Sequence, residues 1–92
     1  MITITKAAIK YKDKVYTGTA HWQILDKLEK GIGARPAMYL EGFTTNEGEF
    51  VGRVVASDIA YKAGQIDHKP ERLLSNMIRL VPDDDVDNTV IQ

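Results

Sequence analysis

The stretch GFTTNEGEFVGR, Gly42 to Arg53, constrains the fold more than any other part of the chain. Two short apolar runs flank a polar turn, and the second run passes without a linker into the helical pattern GRVVASDIAYKAGQ. AMYLEGF therefore reads as a strand, TNEGE as a turn in which Gly48 takes positive φ, and FV as a short return strand. In the helix that follows, Val55, Ala56, Ile59, Ala60 and Ala63 make the expected buried stripe, and Gly64 stands where a left-handed cap belongs. Arg53 lies beside the first turn of that helix.

Upstream, ITITKAAIKYK carries isoleucine at positions 2, 4 and 9 with threonines between, which suits a strand. KDK offers a turn and VYTG a second strand, so a hairpin is expected. From Thr19 the period changes. His21, Ile24, Leu25 and Leu28 fall on one helical stripe, with Asp26, Lys27, Glu29 and Lys30 facing out. Thr19 is placed to cap this helix and Gly31 to stop it. GIGARP then reads as a loop. After QIDHK, Pro70 suits the first turn of a short third helix, PERLLSNMIRL, which Pro82 ends. DDDVDN is a charged, weakly folding segment, and TVIQ reads as an edge strand only where a neighbour pairs with it. The reading is one α+β domain over residues 1–82, a small antiparallel sheet with two main helices and a short C-terminal helix, followed by an acidic tail over 83–92.

Composition narrows the partners. A chain of 92 residues with 43% hydrophobic content buries only a modest core, so self-association is a plausible route to burying more. A net charge of -1 supplies no basic footprint for long nucleic acid, so an anionic ligand would be small and held by a few placed cations. With no cysteine, disulfides, thiolate metal sites and a cysteine nucleophile are excluded. The N-terminus lacks a signal-peptide pattern and no apolar stretch is long enough to span a membrane, which makes the cytoplasm the default expectation.

Most catalytic patterns fail on inspection. GIG follows a helix instead of a strand, and Pro36 occupies the third glycine of a dinucleotide loop. Asp83, Asp85 and Asp87 have calcium-loop alternation, but Asn88 stands where the glycine is needed and no bidentate glutamate follows. His21 and His68 are far apart in sequence, and His21 lies on the apolar stripe, which favours a satisfied, half-buried imidazole over a metal ligand. Ser57 and Ser75 sit in no nucleophile-elbow pattern. Neither a metal nor a cofactor is expected, and catalysis is not indicated.

Binding is the remaining class. Trp22 falls off the first helix's buried stripe. Tyr39, Phe43, Phe50 and Tyr61 gather in sequence near Arg53 and Arg35. Aromatic faces beside guanidinium groups suit a nucleotide, since rings stack on a base and the fork grips phosphate. For each aromatic taken alone, core packing is the competing reading. A cation at the start of a helix opposes the macrodipole, so Arg53 either pairs with Glu49 or Asp58, or joins the free amides of the first turn in an anion site.

The blocks KAAIKYKDKVYTGTAHWQIL, GFTTNEGEFVGRVVASDIAYKAGQI and LLSNMI resemble, in order, those of a small phage-encoded family, that of the first-described Thoeris anti-defence sponge. That resemblance implies an oligomer in the host bacterial cytoplasm. It would trap a cyclic ADP-ribose signal made by bacterial TIR-domain proteins without cleaving it. Tyr16, Thr17, Gly18, His21, Gly42, Phe43, Gly48, Phe50, Val51, Arg53, Ala56, Ile59, Ala60, Gly64 and Gln65 keep the family pattern. Thr19 and Ala20 replace a basic dipeptide, Glu49 an arginine, Gly52 an aspartate, and Asn76 with Met77 an acidic pair. Losing those cations points to cations moved to Arg35, Lys62, Arg72 or Arg79, or to a different cyclic nucleotide, a cyclic oligonucleotide among them.

The expected function is thus noncatalytic sequestration of a cyclic nucleotide immune signal by a homo-oligomer. The ligand set is Arg53, Phe50, Phe43, Trp22, His21, Thr19 and Arg35. The alternative is a protein-binding inhibitor of a bacterial defence complex, with Trp22 and the acidic tail as contact surface. A nucleotide-processing enzyme is the third class.

Overall fold

The computed structural model describes residues 1–80, so the end of the last helix at Pro82, the acidic tail and the TVIQ strand lie outside the described residues. Among the described residues four strands form one antiparallel sheet in the order β2-β1-β3-β4. They are β1 (Ile4–Tyr11), β2 (Lys14–Gly18), β3 (Leu40–Thr45) and β4 (Phe50–Gly52). Helix α1 (His21–Ile32) links β2 to β3, and α2 (Arg53–Lys62) follows β4 directly.

The expected hairpin forms. Lys12 and Asp13 make its turn with φ of 49° and 66°, the left-handed pair that a two-residue connection between twisted strands requires. Along β1, alternation puts Ala7, Ile9 and Tyr11 on the core side. Ala7 faces Phe43 on β3, which is fully buried. On α1 the buried residues are His21, Ile24, Leu25 and Leu28, the stripe that the 3.6-residue period predicts.

Both boundaries of α1 differ from expectation. Ala20 is the N-cap and offers no side-chain hydrogen bond; the Thr19 hydroxyl donates to Gln23 Oε1 at 2.6 Å, and the His21 N–H donates to the Ser75 hydroxyl at 3.4 Å. The helix runs through Gly31 and stops at Gly33, whose φ of 82° lets its N–H reach the Glu29 carbonyl at 2.8 Å. Glycine is tolerated inside a helix, but a left-handed cap favours it, and only Gly33 takes that conformation here.

The buried face of α2 is rotated from the predicted stripe. Ala56, Ser57 and Ala60 are buried, whereas Val55 is 52% exposed. Small residues let the helix lie close to the sheet, and the Ser57 hydroxyl donates to the Pro70 carbonyl, so a polar residue sits inside at little cost. Gly64 has φ of 75°, in keeping with the left-handed residue expected after this helix.

PERLLSNMIRL does not form the expected third helix. Its only helical part is a 3-10 turn, Ser75–Met77. The Leu73 N–H donates to the Arg53 carbonyl at 3.0 Å, and Leu73 and Ile78 both enter the core. An extended strap buries these two anchors, and that tertiary gain outweighs local helix propensity.

Two side chains replace backbone pairing at the start of β1. Gln65 accepts from the Ile4 N–H and donates to the Ile4 carbonyl, each at 2.8 Å. Asn46 accepts from the Thr3 N–H at 3.0 Å and donates to the Met1 carbonyl at 3.1 Å.

Gly42 is the tightest point of the sheet. It faces Ala8 on β1 and Gly52 on β4. A Cβ there would run into the Val51 carbonyl oxygen and come within 2.8 Å of Phe50 Cζ, because the Phe50 ring lies across this position. The Gly42 carbonyl bonds His21 Nε2 at 2.7 Å, and the imidazole meets Phe43 edge-on with centroids 5.1 Å apart. A carbonyl oxygen only accepts, so Nε2 carries a proton and donates in this contact.

Gly42→Ala is expected to cost roughly 3 kcal/mol in denaturant unfolding, through forced displacement of β4. Gly52→Ala, at the directly opposed position with nothing within 4 Å of its would-be Cβ, should leave stability within about 0.5 kcal/mol. His21→Phe keeps a ring of similar shape and removes the donor to Gly42. It should cost about 1 to 2 kcal/mol in the same measurement.

Candidate functional site

One end of the sheet carries an open hollow of about 1000 Å³, lined by the β1–β2 turn, residues 37–41 and Arg53. Lys10, Lys12 and Arg53 contribute three cations, set against the two carboxylates of Asp13 and Glu41. Met38, Tyr39 and Leu40 supply the apolar wall. Met38 is 84% exposed and Leu40 60% exposed.

Each lining group owes its place to the backbone around it. Lys10 faces Leu40 across the β1–β3 ladder, so the ammonium and the leucine share one side of the sheet. Lys12 sits in the tight turn, with its ammonium over the Tyr11 ring at 5.4 Å from the centroid. Its left-handed backbone is a conformation in which Asn or Gly is the usual choice. Since Gly42 faces Gly52 in an antiparallel pair, the next position outward brings residue 41 beside residue 53. Arg53 Nη1 accordingly donates to Glu41 Oε1 at 3.3 Å, with the two side chains 29% and 25% exposed. Neither Glu49 nor Asp58, the two acids expected from sequence, is this partner. A guanidinium has five N–H donors, so one carboxylate contact leaves it capacity to bind more.

Of the seven residues assigned from sequence, only Arg53 lines the hollow. Phe43 is fully buried and His21 nearly so, with the imidazole engaged by the Gly42 carbonyl, so both serve the core in this chain. The Phe50 ring covers Gly42. Trp22, 69% exposed, and Thr19 sit at the start of α1, whereas Arg35 follows its far end and pairs with Glu29 at 3.3 Å on the surface. These residues do not converge. Lys62, considered as a relocated cation, pairs with Asp58 at 3.1 Å.

Lys10, Lys12, Met38 and Leu40 were not singled out from the sequence. The available signal was local. Four lysines fall within the first 14 residues, a concentration that the near-neutral total hides.

Away from the hollow, hydrogen bonds from the Lys69 ammonium, and next from that of Lys62, hold the Asp58 carboxyl below the usual carboxylate range. A carboxyl lowered in the folded state adds stability above its unfolded pKa and loses it as pH falls through the folded value. The Asp58 tie to the strap through Lys69 therefore weakens only in acid. Among the described residues no group of three or more His, Cys, Asp or Glu side chains is placed to hold a metal ion. No helix of the described residues is long and apolar enough to cross a membrane.

No curated protein and no solved structure matches the chain significantly. A family model does match, that of the phage T4 y16D protein, over residues 3–81. That span includes all four strands, both helices and every residue lining the hollow, and on it the chain belongs to the phage T4 y16D protein family.

Proposed function

We propose that this phage protein binds a small anionic ligand of the cyclic nucleotide type in the hollow at the sheet end and holds it without cleaving it. The observation that carries this reading is the meeting of Lys10, Lys12 and Arg53 around one apolar-walled space. Cations on one rim suit phosphate oxygens, and Tyr39, Met38 and Leu40 offer a surface for a base. The left-handed Lys12 adds support, because a lysine stands where the turn itself favours asparagine or glycine. Glu41 keeps Arg53 aimed at the rim and would accept a hydrogen bond from a ribose hydroxyl.

A cyclic ADP-ribose signal of Thoeris defence, or a cyclic oligonucleotide, fits this chemistry. The resemblance of the three sequence blocks to the Thoeris anti-defence family is what favours an immune signal over other nucleotides. Such a protein acts by sequestration in the host bacterial cytoplasm, and competing with a receptor asks for about nanomolar affinity, near -12 kcal/mol. The proposed contacts are Arg53, Lys10, Lys12, Tyr39, Met38 and Leu40. The buried Ser57, engaged by Pro70, is withdrawn from nucleophilic work.

A second reading has its own observation. Trp22, Val54 and Val55 are each more than half exposed, and exposed large apolar residues suit a protein contact. On that reading the protein inhibits a defence complex directly.

The readings separate by incubating the protein with cyclic ADP-ribose isomers and cyclic oligonucleotides, then heating it and identifying what is released. Ligand returned intact supports sequestration, a product indicates an enzyme, and ligand free throughout indicates a protein target. In calorimetry, Arg53→Gln should weaken binding by about 1.5 to 3 kcal/mol and Lys12→Ala by about 1 kcal/mol. Unchanged affinity in the double variant would remove the hollow as the site.

A further inference from the structure

We infer that the free edge of β2 is a self-pairing surface, through which two copies of this chain join their sheets about a two-fold axis at Tyr16. This inference concerns assembly, and it stands or falls independently of ligand binding.

The argument begins at the β1–β2 turn. Its two residues, Lys12 and Asp13, make Tyr11 and Lys14 the closing hydrogen-bonded pair of the hairpin. Alternation along an antiparallel ladder then puts Tyr16 and Gly18 in the same class, facing Ile9 and Ala7. Val15 and Thr17 belong to the other class. Their N–H and C=O groups point away from β1, on the side where β2 has no neighbouring strand among the described residues. Val15 is 42% exposed and Thr17 is exposed as well.

A second copy of β2 laid antiparallel along this edge has one register that uses both outward residues. It puts Val15 across from Thr17 of the second copy and Thr17 across from its Val15, with the two Tyr16 residues at the dyad. Each outward pair exchanges two hydrogen bonds, roughly four in all. The contact is isologous and closed, so it makes a dimer and not a fibre.

Charge supports the same register. Lys14 falls across from Gly18 of the second copy, so the lysines of the two edges do not oppose one another. One step further, Asp13 falls across from Thr19 of the second copy, beside the start of that copy's α1. The first turn of α1 carries no acidic residue, and its N-cap, Ala20, provides no side-chain hydrogen bond. The leading amide, His21 N–H, is already held by the Ser75 hydroxyl at 3.4 Å, so a carboxylate brought in by the second copy meets the positive end of the helix dipole. A helix start without an acidic residue and an acidic turn thus complement each other across the dyad, twice. Registers centred on Val15 or on Thr17 lose one of the outward pairs from the strand and move Asp13 away from Thr19.

The test is sedimentation of the ligand-free protein over a wide concentration range, together with amide hydrogen exchange. A dimer is expected, with exchange at Val15 and Thr17 slowed by about tenfold or more as the protein is concentrated. Thr17→Pro removes an outward donor while leaving the ladder to β1 intact, a substitution that edge strands accept, and should give a folded monomer by circular dichroism. Asp13→Asn keeps the left-handed turn and removes the charge, and should raise the dimer dissociation constant about fivefold. A protein that stays monomeric at every concentration overturns the inference. So does a dimer in which the Val15 and Thr17 amides exchange as fast as in dilute solution, and this measurement on the unmodified chain decides the matter even if Thr17→Pro does not fold.

Discussion

The close approach of β3 to β4 at Gly42 is the constraint on which the remaining structure depends. A hydrogen in place of a side chain lets the Phe50 ring close over the backbone and lets the Val51 carbonyl come near. On the same residue the carbonyl receives the His21 imidazole, so α1 is pinned to the sheet at the point where β4 is pinned to β3. Sheet and helix therefore share one anchor. The register it sets, Gly42 against Gly52, also decides that Arg53 emerges beside Glu41. The charge arrangement at the sheet end follows from a packing requirement one residue away.

The hollow shows how a near-neutral chain can still present a cationic rim. Lys10 and Lys12 approach it from the first hairpin and Arg53 from the start of α2, two segments separated by some forty residues of sequence. Acidic side chains elsewhere cancel these charges in the total but not in local space, since screening confines surface charge effects to about 10 Å in ordinary salt. The Glu41 contact keeps the guanidinium half-buried and ordered. A preorganised cation loses less rotamer entropy on meeting an anion than a freely moving one.

Periodicity made the α1 stripe and the two hairpins legible, because apolar spacing reports directly which face is buried. His21 was readable as a satisfied core residue for the same reason. Ser57 was not, since its burial depends on the Pro70 carbonyl, a partner thirteen positions away that no periodic pattern encodes. The strap after Pro70 also defeated local reasoning: PERLLSNMIRL has good helix formers, and it is extended because Leu73 and Ile78 reach the core. In the candidate site, Arg53 was found from its position before a helix. Lys10 and Lys12 carry no such positional signal, because only the fold sets the hairpin turn against the loop ahead of β3. Several residues carrying the family-like pattern, among them His21, Gly42, Phe43 and Gln65, turn out to hold the fold together.

The Gln65 carboxamide, standing in for a strand against Ile4, has a consequence for the order in which the protein is built. Its two hydrogen bonds join residues 61 positions apart, so the first strand is finished at its leading end by a side chain that the ribosome adds much later. Until α2 and the turn after it have emerged, the N-terminal backbone groups at Ile4 have only water to satisfy them. Long-range closures of this kind slow folding, because chain entropy is spent before the contact rewards it. The hairpin of β1 and β2 can form early from local contacts, but the leading end of the sheet is sealed only once Gln65 has emerged.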